Sequence, residues 1–201
     1  IDKSRFRNIN YIDNTLVLPN TLIKINVPKN INIDEIQQIK IVPYYNKVKL
    51  VYIFIDKTEC VDNDFVSGRA LGGDLGVNNL VSITSNELAF STLIKGGQLK
   101  TVNRDMNKKV AYYTSELNVC NKEQTTSKKI QETYEKRNNT IETMMWNVAH
   151  QILDMMLSTK SEIFVFGKNT GWKQEVNLGK KNNQNFVQIP FNQFIQMLEY
   201  K

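Results

Sequence analysis

One acid in this chain stands where it could do chemistry. Asp74 lies in "GGDLGVNN", residues 72–79, between "VSGRAL" and the apolar run "LVSIT". Gly72, Gly73 and Gly76 crowd around it. Two readings fit. Gly and Asn punctuate turns, so a hairpin would leave Asp74 as a solvated turn residue. Alternatively, Asp74 ends a buried strand and holds a metal ion or a phosphate, and the glycines keep side chains clear of whatever approaches.

The other reactive groups are sparse. There are two cysteines, Cys60 and Cys120, with no CxxC pair, and His150 is the single histidine. A zinc site is therefore not available within this chain. Two lone thiols behind a start, "IDKSRFRNIN", that lacks an apolar signal core fit a reducing, intracellular setting. That makes a cytoplasmic, nucleoid-associated protein the expectation. No apolar run approaches ~18 residues, so no membrane-spanning segment is expected. With 201 residues, 41% of them hydrophobic, the chain can bury one core or one core plus a smaller one.

Charge is unevenly placed. The net +6 is concentrated in residues 95–140, where ten Lys/Arg face five Asp/Glu, and in residues 168–201, where five face two. The stretch holding Asp74 is acidic, with basic stretches on both sides. A polyanion-binding surface beside an acidic centre has this pattern, and so does a solvated basic face.

The elements that must position Asp74 follow from periodicity. "NTLVLP", "TLIKINV", "QIKIVPYY" and "KVKLVYIFI" are β-branched or aromatic runs separated by Pro and Asn, which predicts a small antiparallel sheet or part of a barrel. "RALGGDLG", "NLVSITS" and "ELAFSTL" predict a three-strand meander with Asp74 on its first strand. Then the period changes. Leu99, Val102, Met106, Val110, Tyr113, Leu117 and Cys120 recur at helical spacing, and so do Ile130, Tyr134, Ile141, Met145, Val148, Ile152 and Met156. This predicts a helical hairpin over 98–159, with Thr126 or Ser127 capping its second helix. The Met-rich stripe reads as core packing. The outer faces are expected to carry Lys108, Lys109, Lys128, Lys129, Lys136 and Arg137, free to meet phosphates. His150 falls on the polar shoulder of a stripe, facing solvent or nucleic acid. "SEIFVFG", 161–167, carries the apolar run of a buried strand. A polar segment follows, and then a helix with Pro190 at its first turn.

Strand with Asp, two strands, helices, strand, helix is the order that opens an RNase H-like fold. Such folds gather carboxylates from several elements around two divalent ions for phosphodiester cleavage. The blocks "GGDLGVNNLVSIT", "KRNNTIE", "VFGKNTGWKQEVNLGKKNNQNFVQIPF" and "MLEYK" resemble the transposon-encoded TnpB (OrfB) family of RNA-guided DNA nucleases. The resemblance runs from about residue 11 to 201 and is strongest after 160. It implies an α/β protein with two parts. Residues 1–65 would be a segment of an oligonucleotide-binding, wedge-like β-barrel. Residues 66–201 would be the first part of a RuvC-like nuclease domain with the helical hairpin inserted. It also implies that Asp74 is the first catalytic aspartate and a Mg2+ ligand, and that the partners are a guide RNA and target DNA.

The chain departs from the family pattern in places. Gly73 stands where many relatives have an apolar residue, and Gly167 where many have a catalytic Glu. The zinc-binding cysteines and last aspartate of the family do not occur. Glu175 is the nearest downstream acid. Lys168, Lys173, Lys180 and Lys181 could contact phosphates and Trp172 could stack on a base. A solvated loop with a packed Trp172 fits the same letters. Two other readings stay open: a nuclease-dead RNA-guided DNA-binding protein, and an actin-like or sugar-kinase-type ATPase, whose first glycine turn cradles phosphate.

Overall fold

β-Branched and aromatic residues pair locally in the first sixty residues, and the period changes to helical near residue 97. In a computed structural model, residues 9–10, 14–18, 21–54, 67–87, 89–120, 124–167 and 189–200 are described. The chain divides into two compact units, Ile1–Asp62 and Asn63–Lys201.

In the first unit, β1 (Ile9–Asn10), β2 (Thr15–Val17) and β3 (Lys24–Asn26) form an antiparallel sheet in that order. β4 (Ile36–Tyr44) and β5 (Lys47–Phe54) form a separate antiparallel ribbon. Leu16, Val27, Ile33, Ile36 and Ile39 make the core, with Ile31, Leu50 and Tyr52 packed against it. Burial raises the pKa of the Tyr52 hydroxyl, since its charged form would lose solvent. Asn14 takes a left-handed backbone at φ 50 and donates its side-chain amide to the carbonyl of Val27 at 2.7 Å. Asn tolerates that conformation because its short polar side chain finds a local partner. Among the described residues no pairing joins the two sheets.

The second unit is a mixed α/β layer. β6 (Ala70–Leu75), β7 (Asn79–Ser85) and β8 (Ser91–Lys95) form the meander, and β9 (Ile163–Phe166) adds to β6 in parallel, giving the order β8-β7-β6-β9. A parallel neighbour needs a crossover. Here α1 (Gly97–Cys120) and α2 (Lys128–Thr159) supply it. α3 (Phe191–Tyr200) follows, its first turn closed by the Phe194 N–H donating to the Pro190 carbonyl. Leu71, Leu75, Val81 and Ile83 of the sheet share one core with Ile141, Met145, Val148 and Ile152 of α2 and Phe191 and Phe194 of α3. No helix among the described residues is long and apolar enough to cross a membrane.

The α2 stripe is buried at Ile130, Ile141, Met145, Val148 and Ile152, while Met156 is half-buried and Tyr134 exposed. The α1 stripe is buried only at Leu99 and Met106, and Cys120 at its far end is exposed. α1 packs chiefly on α2, so its distal residues lack the sheet beneath them. β9 also differs from a buried strand. Val165 is 58% exposed, because one face of the sheet has no covering layer among the described residues.

Both ends of α2 are capped. Ser127 accepts from the Ile130 N–H at 3.4 Å, and Lys160 closes the last turn in the left-handed conformation at φ 53. Ser127→Ala should lower stability by about 1 kcal/mol. Lys160→Gly should raise it by about 0.5–1 kcal/mol, since glycine takes that conformation without a side-chain clash. Urea denaturation of the two variants should show midpoints displaced in opposite directions.

Candidate functional site

β6 is paired on both edges, so its side chains can leave only through its two faces. Leu71, Gly73 and Leu75 point to the helical core, and Ala70, Gly72 and Asp74 to the other side. The register carries the division across the sheet. Gly72 lies opposite Thr84 and Asp74 opposite Ser82, while Ser82 and Thr84 pair with Leu93 and Ser91 of β8. On the opposite edge Gly72 lies beside Val165. The result is an open depression of about 530 Å³ lined by Asp74, three hydroxyl residues (Ser82, Thr84, Ser91), Leu93, Val165 and Gly167. The carboxylate of Asp74 is exposed on a strand that is itself interior. The structure therefore sets aside the turn reading and places Asp74 on a strand with its carboxylate exposed.

The glycines next to it answer a packing demand. A Cβ at Gly73 would clash with the Cζ edge of the Phe164 ring, with Cε2 only 3.1 Å away. Phe164 comes from β9 and packs against the core. What approaches Gly73 is thus an aromatic ring from the helical side, and no metal or phosphate is needed to explain that glycine. Gly76 opens the turn into β7, where a Cβ would lie 2.9 Å from the Asn79 carbonyl oxygen. Period-two alternation starting from Asp74 could have identified Ser82 and Thr84 as its neighbours. The partnership of Gly73 with Phe164 needs the parallel register and has no local signal.

Among the described residues there is no group of three His, Cys, Asp or Glu able to hold a metal. Gly167 does line the depression, at the end of β9. Glu162, just before β9, is engaged elsewhere: its carboxylate accepts from the Ser67 N–H at 3.2 Å. Lys168, Trp172, Lys173, Glu175, Lys180, Lys181 and Cys60 lie outside the described residues.

The basic hairpin is sorted differently from its expected outer faces. Lys109, Lys129, Lys136 and Arg137 converge on one groove of about 420 Å³ along the seam of α1 and α2, while Lys108 and Lys128 are exposed outside its lining. Val102, Met106 and Tyr113 supply an apolar floor, and Asp105 and Glu132 contribute two acids. Lys129 stands over the Tyr113 ring, 5.6 Å from its centroid. Arg137 is held from below, its Nε donating to Oδ1 of the buried Asn103 at 2.8 Å. A polar residue four places after Leu99 in an otherwise apolar stripe was the available signal for that contact. His150 is exposed, with Nδ1 2.8 Å from the Trp146 carbonyl one turn back.

Residues 57–168 match the OrfB_IS605 family, described as a probable transposase. No curated protein matches the chain. Among solved structures, the chain is similar to one in a cryo-EM structure of a Cas12f1–sgRNA–target DNA complex. The identity is 14% and the TM-score 0.44, over 65% of this chain and 27% of that one.

The Gly73–Phe164 contact is directly testable. Gly73→Ala should cost about 1–3 kcal/mol, because the added methyl has to displace a packed ring. Phe164→Leu, placed in the Gly73→Ala background, should recover part of the loss by removing the ring edge. A thermal-melt double-mutant cycle measures the coupling, and strict additivity would show that the two residues do not compete for one space.

Proposed function

The chain belongs to the OrfB_IS605 family of probable transposases, and from that membership we propose that it acts as part of a transposon-associated, RNA-guided DNA endonuclease of TnpB type. On this reading residues 66–201 are the first part of an RNase H-like, RuvC-like core, and the two sheets of the first unit belong to an oligonucleotide-binding, wedge-like barrel. The observation that carries it is Asp74. Its carboxylate projects from the open face of a strand that pairs antiparallel with β7 and parallel with β9. A rigid interior strand gives a ligand a fixed position, and the hydroxyl-lined depression beside it leaves room for a phosphodiester.

The donors at this site are oxygens, which suits a hard ion such as Mg2+. Asp74 would hold that ion, with further carboxylates coming from beyond the described residues. When bound, Mg2+ would offset phosphate charge and lower the pKa of a water. The chain's own part is to fix the Asp74 carboxylate, keep bulky side chains away from Gly72, and bind the nucleic acid. Lys109, Lys129, Lys136 and Arg137 would meet phosphates in the groove, helped by Lys108 and Lys128 at its margins. Lys168, Lys173, Lys180 and Lys181 would do the same from their segment, with Trp172 stacking on a base. A guide RNA paired with the target DNA strand would choose the sequence, the protein reading backbone shape.

Asp74 is the one carboxylate among the described residues that line the depression, which also favours a second reading, RNA-guided DNA binding without cutting. Two measurements test the proposal. The 201-residue chain alone should not cleave DNA in Mg2+, with or without RNA. Robust cutting that Asp74→Asn abolishes would overturn this and point to Glu175 as a second acid. Binding to RNA or to an RNA–DNA duplex should be sequence-independent, with a Kd on the order of micromolar at low salt. Charge reversal at Lys109, Lys129 and Lys136 together should reduce the slope of log affinity against log salt by about three. An unchanged slope would make the groove a solvated face.

A further inference from the structure

The ribbon of β4 and β5 is a second basic feature, and neither the Asp74 depression nor the helical groove involves it. Its register pairs Lys40 with Val51, Val42 with Lys49 and Tyr44 with Lys47. Directly paired residues share a face, and neighbours along a strand alternate. Lys40, Val42, Tyr44, Lys47, Lys49 and Val51 therefore lie on one face. Every lysine between Ile36 and Phe54 is on that face, and the span contains no acid. The other face is apolar: Ile39, Ile41, Pro43, Val48, Leu50 and Tyr52. At the base of the ribbon it joins the core through Ile39, Leu50 and Tyr52. Toward the tip both faces are open, with Ile41, Val42, Pro43, Lys47, Val48 and Lys49 all exposed. Asp34 and Glu35 precede β4 at the base, roughly 27 Å along the strand from the tip.

The tip has an unusual backbone. A two-residue loop, Tyr45–Asn46, joins the strands, and Tyr45 has φ 54. Hairpin turns of this length need a positive φ at the first loop residue, a place that favours Gly, Asn or Asp. A bulky tyrosine there is held against its preference. Its ring stands edge-on to that of Tyr44, with centroids 4.8 Å apart and planes at 74°. Lys49 Nζ lies over the Tyr44 ring, 5.5 Å from the centroid. Lysines on an exposed ribbon also discourage unwanted strand pairing. That role asks neither for a single cationic face nor for two aromatic rings at the turn.

We infer that the tip of the β4–β5 ribbon is a binding site for single-stranded nucleic acid. An unpaired base stacks on the Tyr44–Tyr45 pair, and Lys47 and Lys49 take the flanking phosphates. Stacking on tyrosine accepts any base, and lysines on the same face supply contacts that carry no sequence information. Lys49 already keeps a cation beside the ring where a phosphate next to a stacked base would lie. Lys40 continues the same cationic face toward the base of the ribbon. The inference takes from the nuclease reading only the class of ligand. Ribbon and groove belong to different units of the chain, so either can fail alone.

The test uses the whole 201-residue chain carrying the groove reversals Lys109→Glu, Lys129→Glu and Lys136→Glu, so that groove binding does not mask the ribbon. Probes are 12-mers of oligouridylate and oligothymidylate with one 5-iodouracil for photo-crosslinking. Crosslinks should map to the peptide holding Tyr44 and Tyr45. Tyr45→Gly should weaken binding roughly five- to a hundredfold, the range for losing one stacked base. Because glycine suits the turn, that variant keeps the ribbon folded, and its melting temperature checks this. Lys47→Glu with Lys49→Glu should weaken binding and reduce the salt dependence by about two phosphate contacts. Loss for the RNA probe alone assigns the site to RNA and loss for the DNA probe alone to DNA. Loss for both supports the shared stacking chemistry. The proposal is overturned if both variants bind like their background, if crosslinks fall outside residues 40–49, or if duplex binds in preference to single strand. It is equally overturned if the ribbon captures an acidic protein and no oligonucleotide.

Discussion

β6 is hydrogen-bonded along both edges, and this double pairing governs the second unit. A strand paired on one side can still twist or slip a residue. One held antiparallel to β7 and parallel to β9 cannot slip without breaking two registers at once. A one-residue slip would move Leu71 and Leu75 out of the core and drive Asp74 into it. The cost of burying an unpaired carboxylate adds to the cost of exposing two leucines. Hydrophobic burial on one face therefore fixes, without any direct contact, where the carboxylate appears on the other. Parallel pairing with β9 also needs the long crossover of α1 and α2, so the helices that cover the core face are also the connection that brings β9 into place.

Much of this was legible in the chain. Periods of two and of three to four located the meander and the helical hairpin, because each is a local pattern repeated over many residues; of the two expected caps, Thr126 or Ser127, the structure uses Ser127. What stayed hidden depended on contacts between distant segments. Gly73 looked like a concession to a ligand, yet its neighbour is Phe164, about ninety residues on, and only the parallel register brings the two together. The lysines of the helical hairpin looked like an outer face, since helical periodicity says which residues avoid the core. It does not say how two helices rotate against each other. Once they pack, residues flanking the apolar stripe on both helices meet at the seam, and four cations become one groove. The exposed Val165 was missed for a related reason: an apolar strand reads as buried on both faces, whereas the described residues cover only one.

Asp74 and the groove lysines present an electrostatic problem that the proposed function has to solve. A phosphodiester chain is repelled by a lone carboxylate, and that carboxylate is exposed, with no cation among the described residues lining its depression. Attraction must come from other parts of the surface, and the basic groove offers it with four cations against two acids. The field of such a groove can hold a polyanion near the protein, but it cannot by itself bring phosphate against Asp74. On the proposed function, a divalent cation at the carboxylate would reverse the local sign and remove the conflict. Binding and chemistry would then be separated in kind. The first would rest on lysines and arginine at a helical seam and depend on salt. The second would rest on a carboxylate fixed by strand register and depend on an ion. A chain can lose the second and keep the first. Loss of cutting would then leave nucleic-acid affinity intact, because no described residue lining the Asp74 depression also lines the groove.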